Sequence, residues 1–239
     1  MRVIARLVII TFAALVLLAP RPAHALRACS EEGIAPAPGT TLPPHAQIVI
    51  HSDGSLRDLT ARIEGKSVAL KRTVLPGSAG IKVVVLEVQS AETGRLELLT
   101  KNGDVFARYP VAKVKMPSEL PVTSDRMYRP GTWGTGRTHY NFDGLAIHLP
   151  KDAPAIYAHV KVRRDDKAKW SELDVPVYAP MPSYRTTPEV WIGEVGCTSN
   201  YSQQLLEQGV DLEVTIGLTD GTRMPVKGLA ARLTLPPHP

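Results

Sequence analysis

Short apolar runs separated by turn residues fill most of the chain after residue 41. The runs at 46–50 and 81–88 are rich in Val and Ile, and Gly, Ser, Asp or Pro bounds them. Runs of this length and composition predict β-strands. Asn102-Gly103 and Asp220-Gly221 stand between further apolar runs, and both dipeptides favour tight hairpin turns. The pattern therefore predicts an all-β chain.

Strands recur every 8 to 12 residues without a long amphipathic helix, which is typical of antiparallel sandwiches. We predict two consecutive immunoglobulin-like sandwiches, at 42–115 and 126–237, joined by a proline-containing linker at 116–125. In the second unit, the runs at 145–149 and 155–162 are expected to be neighbouring strands. One short helix is predicted at 202–208, with Ser202 as its N-cap and Gly209 after its end.

Two stretches resemble known families of β-sandwich. The Pro- and Gly-containing lead-in to the apolar run at 38–50 resembles the opening strand of bacterial secreted immunoglobulin-like domains. The stretch at 206–214, followed by Asp220-Gly221, resembles the penultimate strand and closing hairpin of fibronectin type III-like domains. Both resemblances imply antiparallel sandwiches.

The first 25 residues have the features of a cleaved signal peptide. Arg2 and Arg6 precede an uncharged apolar run at 7–19, and Ala23-His24-Ala25 fits a signal peptidase site. We therefore expect a secreted or periplasmic protein whose mature chain has no transmembrane span and begins with an extended arm at 26–41. The residues before Cys29 also resemble a lipobox, so lipidation of Cys29 is the alternative.

Removal of the signal peptide changes the charge of the protein. The full chain of 239 residues has a formal net charge of +5, which falls to +2 without Arg2, Arg6 and Arg21. A nucleic-acid-binding protein needs a concentrated basic face, and Arg163-Arg164 is followed at once by two aspartates. We therefore expect no nucleic-acid partner.

Two cysteines, Cys29 and Cys197, occur in the chain. An even pair in an exported protein predicts a disulfide, which would tie the arm to the second sandwich. Their spacing matches no zinc motif, and the histidines form no metal-ligand pattern. No metal and no other cofactor is expected.

The sequence contains no nucleophile elbow, phosphate-binding glycine loop or metalloprotease motif. We therefore expect a protein that is not an enzyme. The alternative is an enzyme whose site is assembled from dispersed carboxylates in the second sandwich, such as Asp143, Asp165 and Asp174.

One segment concentrates residues suited to recognition. Positions 126–142 hold four aromatic residues, three arginines and three glycines. Aromatic faces and guanidinium groups on a loop suit stacking on, and hydrogen bonding to, a glycan or peptide. We expect a binding or structural module of the cell envelope, whose partner is an unknown protein or glycan. The candidate ligand-binding residues are Arg126, Tyr128, Arg129, Trp133, Arg137 and Tyr140.

Overall fold

The architecture is that of an all-β protein with antiparallel sheets, as predicted. In a computed structural model, the described residues are 33–52, 56–76, 81–133, 138–178, 186–195, 198–199, 201 and 203–235. For residues 127–133, 138–143, 194–195, 198–199, 203 and 204, only the backbone is described.

The first half of the chain folds into two facing sheets. In the described residues, their orders are β1-β2-β6-β5 and β4-β3-β7-β8. The strands are β1 (Gly33–Ala35), β2 (Gln47–Ser52), β3 (Leu59–Ile63), β4 (Lys66–Val68), β5 (Leu70–Leu75), β6 (Lys82–Val88), β7 (Gly94–Thr100) and β8 (Val105–Val111).

The second half also forms two facing sheets, whose orders in the described residues are β14-β13-β10-β9 and β12-β11-β15-β16. The short strand β17 pairs with β15. The elements are β9 (Thr123–Trp133), β10 (Thr138–His148), β11 (Ala155–Arg163), β12 (Ser171–Pro176), β13 (Glu189–Val195), β14 (Thr198–Ser199), helix α1 (Gln203–Glu207), β15 (Val210–Leu218), β16 (Arg223–Pro225) and β17 (Arg232–Leu233).

Burial follows the pattern of apolar residues along each strand. In β8, Ala107, Tyr109 and Val111 are buried while Arg108 and Pro110 are exposed, so one face of this strand packs on the core and the other meets solvent. In contrast, β2 and β6 have continuous buried runs. Such runs fit strands that are covered on both faces.

The sheet that contains β2 and β6 lies between the two sandwiches. Ile48 and Ile50 pack in the core of the first sandwich, whereas Val49, Val83 and Val85 belong to the buried cluster of the second. Hydrogen bonds also cross this contact: the N–H of Gln47 donates to the carbonyl of Thr219 at 2.6 Å. The two sandwiches therefore share the sheet β1-β2-β6-β5, which we call the seam sheet and whose strands β2 and β6 are buried on both faces.

The predicted turns and helix have the expected backbone. Gly103 and Gly221 adopt φ values of 85° and 84° between paired strands. The Oδ1 of Asp220 accepts the Thr222 N–H at 3.0 Å, which closes the second of these turns. Helix α1 ends before Gly209, whose φ is 84°. The left-handed conformation at these three positions is the reason for glycine there.

Parts of the predicted arm and linker are integrated into the fold. Strand β1 lies within the arm and pairs with β2. In the linker, Leu120 and Val122 pack in the second core, and β9 begins at Thr123. The domain boundaries at 42–115, 116–125 and 126–237 remain predictions.

Candidate functional site

The segment that was expected to be a recognition loop pairs as a β-hairpin. Its ladder runs from Thr138 opposite Trp133 to His148 opposite Thr123, so residues 126–133 and 138–142 are strand rather than loop. A signal for this was present in the sequence. Thr, Tyr and Phe alternate at 138, 140 and 142 and favour a strand, and the nearby glycines favour a turn.

The end of this hairpin extends past the body of its sheet. Strand β13 pairs with β10 from Phe142 to His148, whereas β9 pairs with β10 from Thr138 onward. Within the described residues, 130–133 and 138–141 therefore pair only with each other, and we call them the ribbon. Because a strand rises about 3.3 Å per residue, these four residues extend the ribbon roughly 13 Å beyond β13.

The register divides the candidate residues between the two faces of the hairpin. Leu145 and Ile147 lie in the second core, and directly opposed residues share a face. In β10, residues an even number of positions from Leu145 and Ile147 are therefore on the core side, and so are the β9 residues directly opposite them. The remaining positions of the hairpin are on the outer face. Arg126 and Tyr128 occupy core-side positions, Arg129, Trp133 and Tyr140 occupy outer-face positions, and Arg137 lies outside the described residues.

Arg126 fixes the base of the hairpin. Its side chain is only 10% exposed, and its Nη2 donates to Oε1 of Glu207 at 3.3 Å. Glu207 ends helix α1, in which Leu206 is fully buried. This contact ties β9 to the helix, so the positions suited to surface recognition lie further along the hairpin.

The outer face of the same sheet carries a cluster that the sequence analysis did not single out. Tyr178 stacks on Trp191 with ring centroids 4.3 Å apart, and His51 meets Tyr178 edge-on at 5.3 Å. We call these three residues the aromatic cluster. Trp191 is opposite Ala146 of β10, so its ring lies on the face that includes positions 129, 133 and 140, whereas His51 reaches Tyr178 from β2 of the seam sheet. Since these residues are far apart in sequence, no local sequence motif predicts that they form a cluster.

His148 and two carboxylates hold Trp191 in place. The Nε2 of His148 lies 3.1 Å from Oδ1 of Asp125, and its Nδ1 lies 3.3 Å from Oε1 of Glu189. Glu189 is buried, and its other carboxylate oxygen, Oε2, accepts the indole N–H of Trp191 at 2.9 Å. These contacts, from Asp125 through His148 and Glu189 to Trp191, fix the orientation of the indole beside the hairpin.

His159 was expected on a strand adjacent to that of His148, and this prediction is wrong. Strand β10 pairs with β9 and β13, whereas β11 pairs with β12 and β15 in the opposite sheet. The connection at 149–154 crosses between sheets because Leu149 and Ala153 are themselves buried in the core. The two histidines therefore belong to separate clusters.

His159 pairs with Asp174 across β11 and β12. Its Nδ1 lies 3.0 Å from Oδ1 of Asp174, and its Nε2 lies 3.5 Å from Oε2 of Glu172. Asp174 is 4% exposed, and burial raises the pKa of its carboxyl even though the contact with His159 acts in the opposite direction.

Substitution of Asp174 is expected to change the pH dependence of stability. Because its pKa is raised in the folded state, its contribution to stability is complete below the ordinary value of 3.8 and is lost as the pH rises through the raised value. Asp174→Asn removes this loss. The unfolding free energy of the variant minus that of the wild type should therefore increase between pH 3.5 and 5.5 in urea titrations. A difference that is the same at both pH values would contradict this assignment.

The other dispersed carboxylates have different surroundings. Oδ1 of Asp165 accepts the N–H groups of Lys167 and Ala168, each at 3.0 Å, so this residue caps a turn. The side chain of Asp143 lies outside the described residues. Within the described ranges, no group of three or more His, Cys, Asp or Glu residues is arranged to hold a metal ion.

Several predictions fall on residues that the structure does not describe. The signal peptide at 1–25, Cys29 and Cys197 all lie outside the described residues, so cleavage, lipidation and the disulfide remain predictions. Among the residues that are described, no helix is long and apolar enough to cross a membrane.

Comparison with known proteins gives only distant similarities. No protein-family model and no curated protein matches the chain. It is similar to a type I pullulanase from Bacillus subtilis strain 168 at 10% identity and a TM-score of 0.25, over 80% of this chain and 24% of that one. It is also similar to domains of titin at 9% identity and a TM-score of 0.23, over 81% of this chain and 61% of that one. The chain thus spans less than two thirds of either protein.

Proposed function

We propose that this protein is a non-enzymatic, exported binding module of the cell envelope that recognises a glycan or peptide through the ribbon of the β9–β10 hairpin. Its two sandwiches are of the immunoglobulin-like and fibronectin type III-like kind, and they act as the scaffold. The observation that carries the proposal is the extension of the ribbon beyond β13, since residues 138–141 of β10 pair with β9 alone among the described strands.

The residue types on the outer face support this role. Positions 129, 133 and 140 hold Arg, Trp and Tyr. Aromatic rings offer flat apolar surfaces to sugar or side-chain carbons, and a guanidinium offers several hydrogen-bond donors. Trp191, which is half-buried and stacked with Tyr178, continues the same face into the sheet. By the register of the strands, positions 129, 133 and 140 and Trp191 share one face of the hairpin and its sheet.

The scaffold also favours binding. A ligand site on a rigid support loses little conformational entropy when it binds. The seam sheet joins the two cores, and Arg126 ties the base of the hairpin to α1. The ribbon therefore projects from an element whose base is fixed.

Truncation of Trp133 tests the proposal. The probes are insoluble peptidoglycan, which displays sugar chains and peptides, and a panel of immobilised envelope glycans. We expect the wild type to be retained on at least one probe and Trp133→Ala to bind it at least about tenfold more weakly, since interface tryptophans often dominate binding energy. Trp170→Ala is the matched control, because Trp170 packs under Arg163 on the other sheet at 4.6 Å.

Circular dichroism and the unfolding midpoint verify that both variants fold. Equal retention of wild type and Trp133→Ala would reject the ribbon as the binding element. If the wild type binds none of the probes, the proposed binding function is rejected.

A further inference from the structure

The outer face of the sheet formed by β3, β7 and β8 carries three arginines around one glutamate. Arg62, Glu97 and Arg108 are direct cross-strand partners on these strands. Arg95 precedes Glu97 by two residues in β7 and therefore shares its face. The four residues come from sequence positions as far apart as 62 and 108, and we call them the arginine cluster.

Glu97 anchors this cluster. Its side chain is 6% exposed, and its Oε2 lies 2.6 Å from Nε of Arg62. Its Oε1 lies 3.0 Å from Nε of Arg108 and 3.7 Å from Nε of Arg95. The hydrogen bonds from Arg108 and Arg62 lower the pKa of Glu97. The glutamate thus stays ionised and holds three guanidinium groups close together.

The arginines have more charge and more donors than Glu97 can satisfy. Each guanidinium has five N–H donors, so about fifteen donors face a carboxylate with roughly four acceptor sites. Glu64, whose Oε1 accepts the backbone N–H of Arg95 at 2.5 Å, is the next carboxylate along this edge. Even with Glu64 counted, one positive charge remains in excess. The three arginine side chains are 40% to 66% exposed, which leaves their guanidinium groups open to a solvent anion.

A groove of about 410 Å³ borders two of these arginines. Its walls are mostly apolar, and it is open to solvent along one side. Backbone hydrogen bonds shape it: the N–H of Gly39 donates to the carbonyl of Arg108 at 2.8 Å. The lining residues are Gly39, Gly94, Arg95, Arg108, Tyr109, Pro110 and Val111.

We infer that this groove and the arginine cluster form a second binding site, for a small organic molecule that carries a carboxylate or a phosphate group. Arg95 and Arg108 bind the oxyanion, since a guanidinium matches carboxylate and phosphate oxygens with paired hydrogen bonds. Arg62 adds to the local positive charge from the far side of Glu97. The apolar walls contact the carbon skeleton of the ligand. This site lies on the first sandwich and does not depend on the ribbon of the second.

The test uses three sugars of similar size that differ in charge: glucose 6-phosphate, glucuronate and neutral glucose. Titrations of the ¹⁵N-labelled full chain are followed by NMR, with the amides of Gly39 and Gly94 as local reporters. We expect saturable shifts of these amides with one or both anionic sugars, and none with glucose. Binding of one anion alone identifies phosphate or carboxylate as the preferred group.

Variants separate this site from general charge effects. Arg95→Ala and Arg108→Ala should each weaken binding of the anionic sugar at least fivefold, and Arg108→Lys should weaken it as well because the paired geometry is lost. Arg72→Ala is the matched control, since Arg72 pairs with the exposed Asp58 in another part of the same sandwich. Trp133→Ala should bind the sugars like the wild type.

The inference is overturned if neither anionic sugar shifts the two glycine amides, or if glucose shifts them equally. It is also overturned if Arg95→Ala and Arg108→Ala, both folded by their NMR spectra, bind as well as the control variant. Loss of binding in Trp133→Ala would place the oxyanion site on the ribbon and contradict a separate site.

Discussion

Val49→Asp is expected to lower the free energy of unfolding by about 3 to 5 kcal/mol, because it places an unpaired carboxylate inside the protein. Val49 is fully buried, although it belongs to the first sandwich, since it packs in the buried cluster of the second. Urea titrations of the full chain, followed by tryptophan fluorescence and by circular dichroism, measure the change.

The control is Val74→Asp in β5 of the same sheet. Val74 is 71% exposed, so this variant should differ from the wild type by less than about 0.5 kcal/mol. In the wild type, the two probes should report one common transition, because unfolding of either sandwich exposes the seam sheet. Equal stability of the two valine variants would show that the sandwiches do not share this contact in solution.

Tyr109→Ala is expected to lower the free energy of unfolding by about 3 to 5 kcal/mol, as truncation of a large buried aromatic residue does. Tyr109 is fully buried in the first core, and its hydroxyl donates to the carbonyl of Pro36 at 2.9 Å. Burial raises the pKa of the Tyr109 phenol, so the hydroxyl keeps the proton that it donates. Urea unfolding at neutral pH measures the loss.

Tyr109→Phe isolates the contribution of the hydrogen bond. This variant retains the ring and loses the hydroxyl, which leaves the Pro36 carbonyl without this donor, and we expect a loss of about 1 to 2 kcal/mol. The hydroxyl contact connects β8 to the segment just after β1, so proteolysis near residue 36 should be faster in Tyr109→Phe. Identical losses for the Ala and Phe variants would contradict a core role for the ring.

The candidate binding hairpin was only partly predictable. Its chemistry was evident from the concentration of Arg, Trp and Tyr at 126–142. Its conformation was expected to be a loop, yet these residues pair as strands, and even Pro130 lies opposite Asn141 in the ladder. Pro130 is tolerated because β9 is an edge strand in the described sheet. Edge position is a property of the sheet, so the local sequence does not reveal it.

The aromatic cluster and the arginine cluster could not be predicted from the sequence for the same reason. Arg62 and Glu97 are 35 residues apart, and His51 and Tyr178 come from different halves of the chain. Neither cluster has a spacing that marks it as a unit. Their members meet because strands pair across the sheets, and pairing partners are selected by packing over the whole domain.

The sequence by itself determined most of the strands outside β1 and the β9–β10 hairpin, the Asn102-Gly103 and Asp220-Gly221 turns and the short helix before Gly209. These features depend on side-chain branching, alternation of polarity and the freedom of glycine, all of which act within a few residues. Only the tertiary structure decided that β10 and β11 lie in opposite sheets, that β2 and β6 of the seam sheet are buried on both faces, and that three arginines surround Glu97. These outcomes depend on which apolar faces bury each other, and that choice balances contacts between residues far apart in the chain.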